Sequence, residues 1–208
     1  MISRPWSVGK RLIDIVGALL ILTLALPVLA IAAVLVKLDS PGVLFYRQRR
    51  YGLDLRPFMV VKLRTMRDGA SSKMHERYIA ALAAGELDGD PGLKKLTADP
   101  RITRVGALLR KTSIDELPQL LNVLRGEMSL VGPRPALEYE LDHYAAIHFD
   151  RFLLRPGLTG LWQVSGRNTL GFREMLELDV AYVHGCSPRI DAMILLRTPL
   201  ALISSQAA

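Results

Sequence analysis

Residues 15–36 read IVGALLILTLALPVLAIAAVLV, 22 positions without a charged side chain. A straight helix of that length reaches about 33 Å, roughly the thickness of a bilayer's hydrocarbon core. One transmembrane span is the simplest reading. A cleaved signal peptide fits poorly, because the apolar run is too long for one and a basic segment follows it. Two features argue against a simple span. Arg4, Lys10 and Arg11 precede the run, while Lys37, Arg47, Arg49 and Arg50 follow it. Basic residues favour the cytoplasmic side, so both flanks seek one face. Pro27 stands near the middle, where a proline removes a helical hydrogen bond and crowds the preceding turn. A helix that enters, breaks at Pro27 and returns satisfies both features, and Asp14 then lies one turn inside, near Lys10 and Arg11 for pairing. Sequence alone leaves the span and the re-entrant dip both open.

Charge is distributed to match. The 208 residues carry a net +7, yet residues 1–67 hold 11 Lys/Arg against three acids, and the rest is nearly neutral. Excess cations beside an apolar run point to an anionic membrane surface before nucleic acid. Half the chain is hydrophobic and 23% is charged, which excludes both disorder and a bundle of membrane spans. A single cysteine excludes a disulfide framework and fits a reducing compartment.

The remainder reads as α+β and mainly helical. After Ser40-Pro41-Gly42, the runs VLFYRQRR (43–50) and PFMVVKLRTM (57–66) flank YGLDLR, which predicts a short β-hairpin. Helices are expected near 71–84, over 101–111 and 116–125, as one polar amphipathic helix over 136–152, and over 172–183 and 189–203. The last could pack in the core or lie on the bilayer surface. AGELDGDPGL (84–93) reads as a surface loop and RPGLTGLWQVSGRN (155–168) as a structured loop. The division is a membrane segment, 1–39, and a catalytic domain, 40–208, with interfacial helices.

Nucleotide-fold, metalloprotease and serine-hydrolase motifs are missing, and the four histidines and Cys186 lack zinc spacing. The informative stretch is RKTSIDELPQLLNVLRGEMSLVGPRP (110–135). Ser113-Ile-Asp-Glu116 has the form of a helix capping box, with Asp115 complementing the dipole. Pro118 favours a start at Asp115 instead, which would put Asp115 and Glu116 at a helix mouth, where a carboxylate can act as nucleophile or Mg²⁺ ligand. Pro133 and Pro135 fix the backbone around Arg134, whose planar fork of donors suits phosphate oxygens. Lys62, Arg64, Arg110 and Arg167 are further cations that could converge there.

These residues resemble the bacterial monotopic phosphoglycosyl transferases. The likeness covers nearly the whole chain: KRLIDI (10–15), VVKLRTM (60–66), DPRITRVGALLRKTSIDELPQLLNVLRGEMSLVGPRP (99–135) and RPGLTGLWQVSGRN. The resemblance implies that Asp115 attacks the sugar-side phosphorus of a UDP-sugar, that UMP leaves, and that polyprenyl phosphate then collects the phosphosugar. It implies Mg²⁺ at Glu116, with Asp115 beside it, and phosphate binding by Lys62, Arg110, Arg134 and Arg167. It also implies a re-entrant helix on the cytoplasmic face of the inner membrane, among anionic phospholipids, and a role in exopolysaccharide or lipopolysaccharide synthesis. Members often carry Ser-Pro at the helix break; this chain has Leu26-Pro27. No large multi-span segment precedes the catalytic part, so the chain resembles the minimal form. The closing loop looks closest to members that transfer hexose 1-phosphates, galactose or glucose. Two other functions fit some of the same residues: direct sugar transfer with release of UDP, and a non-enzymatic basic scaffold. No nucleic-acid motif supports the latter, and the sequence leaves a monomer or homo-oligomer equally open.

Overall fold

The computed structural model describes residues 6–67, 69, 73–84, 99, 101–166 and 169–204. Helix α1, Trp6–Asp39, runs through Pro27 without interruption. The expected break is therefore not a gap in helical structure: a proline withholds one donor while its neighbours keep theirs. By length and composition α1 could cross a membrane. Its middle is exposed and apolar, with Leu20, Leu24, Leu26 and Ile31 all more than half accessible. Its two ends both rest on the rest of the protein.

The N-terminal end is held by polar contacts. Asp14, 3% exposed, accepts hydrogen bonds from the Ser129 hydroxyl and the Leu130 N–H, each at 2.9 Å. Arg11 donates to the carbonyls of Val123 at 2.6 Å and Leu124 at 2.9 Å. Lys10 meets Asp191 at 2.5 Å and the Tyr182 hydroxyl at 3.3 Å. The expected pairing of Asp14 with Lys10 and Arg11 does not form; each has a partner distant in sequence. Small residues let the backbone come close: a Cβ at Gly17 would lie 2.7 Å from Leu130, and Ala18 is fully buried in the main core. At the other end, Ala32 and Val36 pack against Leu63 and Leu109. There Asp39 accepts the Val105 N–H at 2.9 Å.

The hairpin is present. Strands β1, Phe45–Tyr51, and β2, Pro57–Leu63, pair antiparallel with Phe45 opposite Leu63. Its tip places Asp54 and Leu55 at positive φ, 55° and 56°. Helix α2, Lys73–Ala83, and helix α3, Arg104–Thr112, follow. A 3-10 helix, Ile114–Gln119, leads into α4, Leu120–Arg125, where one helix was expected over 116–125. The fully buried Asn122 serves the edge of β2 as a neighbouring strand would, accepting from Val61 N–H at 3.2 Å and donating to Met59 O at 2.7 Å.

A second, parallel pair joins β3, Ser129–Val131, to β4, Gly157–Thr159. Here the two glycine motifs interlock. Gly132 donates to Thr159 O at 3.0 Å and Gly157 to Pro133 O at 2.8 Å. A Cβ at Gly132 would fall 2.4 Å from Arg155 O, and one at Gly157 would fall 2.1 Å from Gly132 N. Neither position has room for a side chain. Residues 155–166 are thus more regular than expected, with α5, Leu161–Ser165, after β4; the rest of that motif lies outside the described residues. Helices α6, Phe172–Gly185, and α7, Pro188–Ser204, agree with the sequence reading. The loop expected at 84–93 lies outside the described residues apart from Ala84.

The amphipathic helix expected over 136–152 is instead two 3-10 helices, Glu138–His143 and Ala146–Leu153. Tyr144 and Ala145 are extended between them. Each half starts on its own side-chain acceptor: Glu140 takes the Leu137 N–H at 2.9 Å, and His148 Nδ1 takes the Ala145 N–H at 3.1 Å. The bend lets Tyr144 and Phe152 flank the guanidinium of Arg151.

Asp14→Ala should destabilise the protein by about 2–4 kcal/mol, because it strands a buried hydroxyl and a buried N–H. Thermal unfolding in detergent measures this, and Asp14→Asn, which keeps an acceptor, should lose less.

Candidate active site

Helix α3 positions the turn that carries Asp115 and Glu116. It begins with Thr103, whose hydroxyl accepts the Gly106 N–H at 3.0 Å. Gly106 presses onto the end of the hairpin so closely that a Cβ would stand 2.0 Å from Thr65 O. That contact seats Arg110, whose Nε donates to the Thr65 hydroxyl at 3.1 Å. The helix closes at Ser113 in the left-handed region, φ 56°, where its N–H returns to Arg110 O at 3.2 Å. A capping serine needs an extended backbone. Ser113 accordingly makes no side-chain cap, and the capping box suggested by Ser113 and Glu116 does not form.

The reversal at Ser113 starts the 3-10 helix that carries the two carboxylates. Glu116 reaches Lys62 of β2 at 2.6 Å. Asp115 is 6% exposed. Its pKa is pushed up to about 6, first by burial and then by the negative charge of Glu116, against the pull of Lys62 and Arg110. Two carboxylates are therefore crowded together with the buried one poorly solvated, an arrangement that a cation would relieve.

Arg134 approaches from the β3 side. Its guanidinium lies over the Trp162 ring, 5.9 Å from the centroid. Among the described residues that guanidinium donates no hydrogen bond to protein. The neighbouring Arg50, 6% exposed, donates to Pro135 O at 3.0 Å and to Gln48. Its pKa falls to about 10 through burial and then the charge of Arg134, while Glu116 opposes the shift. Lys62 and Arg110 are thus the cations that act on the Asp115-Glu116 pair, while Arg134 stands with Arg50.

A half-open cavity of about 140 Å³ lies beside Arg134, with His75, Tyr78, Glu140, Arg151, Trp162 and Phe172 in its wall. Neither Asp115 nor Glu116 lines it. His75 is held neutral, with its pKa lowered to about 4 by burial and then by Arg134, against the pull of Glu140; Arg50 and Arg110 add to the shift. Its Nδ1 shares a 2.6 Å hydrogen bond with the Tyr139 hydroxyl. The cavity accordingly offers aromatic faces and an uncharged imidazole among two cations and one carboxylate.

Of the residues singled out by sequence, Lys62, Arg110, Asp115 and Glu116 come together, with Arg134 nearby. Arg64 does not join them: it is buried, and its Nη atoms bond the carbonyls of Ser40, at 2.7 Å, and Pro41. Arg167 lies outside the described residues. Lys10, Arg11 and Asp14 anchor α1 and take no part in the site. Sequence reasoning missed Arg50, His75, Trp162, Arg151 and Asp179. Trp162 carried some signal, standing between the glycines of the 155–168 motif, and Arg50 sat unmarked in a basic run.

For Mg²⁺ the donors fit. Among the described residues no group of three His, Cys, Asp or Glu could hold a metal, so no all-protein cage exists there. Mg²⁺ is commonly held by one or two carboxylates plus substrate phosphates, and the crowded Asp115-Glu116 pair supplies that number.

Comparison with known proteins gives the same direction. Residues 6–205 match the family described as bacterial sugar transferase. The UDP-galactose-lipid carrier transferase of Erwinia amylovora is 47% identical over 190 residues, covering 91% of this chain and 39% of its own length. The exopolysaccharide production protein ExoY of Sinorhizobium fredii is 41% identical over 192 residues, covering 92% and 84%. The UDP-glucose:undecaprenyl-phosphate glucose-1-phosphate transferase of Caulobacter vibrioides is 43% identical over 209 residues, covering 96% and 71%. This chain thus spans well under half of the Erwinia protein but most of the other two. The motif resemblance and the whole-chain match agree: the chain belongs to the bacterial sugar transferase family, that of the phosphoglycosyl transferases.

Proposed function

We propose that the protein transfers a hexose 1-phosphate from a UDP-sugar to polyprenyl phosphate, starting exopolysaccharide or lipopolysaccharide assembly on a membrane. The observation that carries this is Asp115: a buried carboxylate with a raised pKa, beside Glu116 and under the positive charges of Lys62 and Arg110. A carboxylate nucleophile meeting a diphosphate must overcome repulsion between anions, and those cations offset it. The names of the Erwinia and Caulobacter relatives, which specify a UDP-sugar and a lipid carrier, support the donor and acceptor classes.

The chemistry follows a ping-pong course. An Asp115 oxygen bonds to the sugar-side phosphorus as the bond to the bridging oxygen breaks, and UMP departs with the electron pair. A terminal oxygen of polyprenyl phosphate then attacks that phosphorus, the aspartyl bond breaks, and Asp115 returns as a carboxylate. Lys62, Arg110 and Arg134 hold phosphate oxygens through these steps, and the aromatic cavity beside Arg134 receives a ring of the donor. Glu116, with Asp115 beside it, would hold Mg²⁺, which when bound would supply charge neutralisation at the diphosphate.

The membrane course is part of the same proposal. Helix α1 dips into the cytoplasmic leaflet of the inner membrane and returns, bent at Pro27. Two observations support this: both of its ends rest on one protein body, and its exposed middle is apolar. The exposed Leu196 and Leu200 of α7 and Ile147 and Leu153 of the second 3-10 helix offer further surface to lipid. The cations Lys37, Arg47 and Arg49, all exposed, suit anionic headgroups.

Four kinds of measurement test this reading. With UDP-galactose or UDP-glucose labelled in the sugar, Asp115→Asn should form no covalent adduct and release no UMP, and EDTA should stop turnover of the unmodified protein. Release of UDP would instead establish direct sugar transfer. Ionised Asp115 is disfavoured in the folded state, so folding stability falls as pH rises from about 4 through about 6. Asp115→Asn should consequently stabilise the protein at pH 8, by up to about 3 kcal/mol, seen as a raised Tm.

In the pH profile, kcat/KM for the donor should drop below about pH 6, where Asp115 becomes protonated. Lys62→Met should move that limb upward, since the Lys62 charge lowers this pKa. Asp179 is also raised to about 6, but Lys62 does not figure among the charges acting on it, so the movement assigns the limb to Asp115. Finally, cysteines placed at both ends of residues 15–36 should be labelled from the cytoplasm only, whereas labelling on opposite sides would establish a span.

A further inference from the structure

Within Pro133-Arg134-Pro135 only residue 134 has a backbone N–H, and one buried ion pair holds both of its backbone polar groups. The Arg134 N–H donates to Asp179 Oδ2 at 3.2 Å, and Arg151 Nη2 donates to Arg134 O at 2.8 Å. Arg151 Nη2 also meets Asp179 Oδ2 at 2.5 Å, closing a ring of three contacts. Arg151 comes from the second 3-10 helix and Asp179 from α6, and they are 4% and 1% exposed.

A buried ion pair has little value for stability alone, since well-packed apolar residues often do as well. This one is also not arranged for its own strength. A guanidinium and a carboxylate bind best as a two-pronged fork. Here Asp179 Oδ1 and Arg151 Nε are buried without hydrogen-bond partners, while a single oxygen, Oδ2, serves both Arg151 and the Arg134 N–H. The fork has been given up in favour of the grip on residue 134. The prolines on either side are fixed as well, Pro133 O by Gly157 and Pro135 O by Arg50.

We infer that Arg151 and Asp179 are positioning residues for catalysis: they lock the backbone of Arg134 so that its guanidinium stands over Trp162, ready for the donor phosphates. The inference rests on the reading of Arg134 as a phosphate-binding residue.

The test is a double-mutant cycle on the full chain in detergent or nanodiscs, with undecaprenyl phosphate and whichever of UDP-galactose and UDP-glucose the protein turns over. Asp179→Asn should lower kcat/KM for the donor about 10- to 100-fold while its thermal unfolding shows a folded protein. Arg134→Ala should lower it at least as far. The double variant Arg134→Ala/Asp179→Asn should be no worse than Arg134→Ala, because Asp179 acts only through Arg134. Multiplying losses would overturn the positioning role and leave a general packing role. Wild-type kcat/KM for Arg134→Ala would overturn the phosphate reading itself, and the positioning role with it. If Asp179→Asn does not fold, the pair is removed together as Arg151→Met/Asp179→Asn, which leaves no unpaired buried charge, and the same cycle is run. Arg151→Lys keeps the charge but loses the planar guanidinium that Tyr144 and Phe152 flank, so it should fold and still lose donor kcat/KM; wild-type turnover in that variant would remove Arg151 from the role.

Discussion

A single carboxylate sets the relation between the membrane helix and the chemistry. Asp14 sits on the most apolar helix of the chain and is almost wholly buried, with the Ser129 hydroxyl and the Leu130 N–H as its partners. Those donors open β3, the strand that runs directly into Arg134. One helical turn earlier, Arg11 holds the carbonyls that end α4, the helix that continues from Asp115 and Glu116. The long apolar helix therefore also fixes the spacing between the Asp115-Glu116 turn and the Pro133-Arg134-Pro135 stretch.

Charge is sorted by role across the molecule. Lys10, Arg11 and Arg64 spend their donors on carboxylate or carbonyl partners within the fold. Lys62, Arg110 and Arg134 face the carboxylate turn or the cavity. Arg50 and Arg151 stand behind Arg134 and are buried, so that the fold bears the cost of desolvating them in order to place one guanidinium. Much of the excess positive charge near the apolar helix is thus already committed to internal partners, and the exposed remainder among the described residues is Lys37, Arg47, Arg49, Arg56 and Arg67.

Much of this was legible in the sequence where the physical cause is local. Runs of β-branched and aromatic residues on either side of Gly52 and Asp54 predict the hairpin, and prolines on both sides of Arg134 predict a held cation. Asp115 and Glu116 stood out because Pro118 limits where a helix can begin. Other features depend on contacts far apart in sequence. The pattern Ser113-x-x-Glu116 is that of a cap, but Ser113 ends the helix before it and so has the wrong backbone conformation for the one after. The apolar spacing of 136–152 suits one helix, yet Glu140 and His148 each begin a separate short one. Arg64 looks equivalent to Lys62, two places away on the same strand, until the strand ends at Leu63. Arg151 and Asp179 carry no local signature, because their meaning lies in a peptide group on another element.

The bond between Lys10 and Asp191 spans 181 residues of chain, and this bears on how the protein is made. At a synthesis rate of roughly 5–20 residues per second, about 10–35 s separate the emergence of these two side chains from the ribosome. Through that interval α1 carries Lys10, Arg11 and Asp14 without the partners that neutralise them, joined to an apolar stretch that water rejects. The order of events is then constrained: the apolar middle must be sheltered first, by lipid or a chaperone, and its charged root is locked only when the last helix arrives. Closure of the root of α1 is in this sense a late step of folding, sealed by α7.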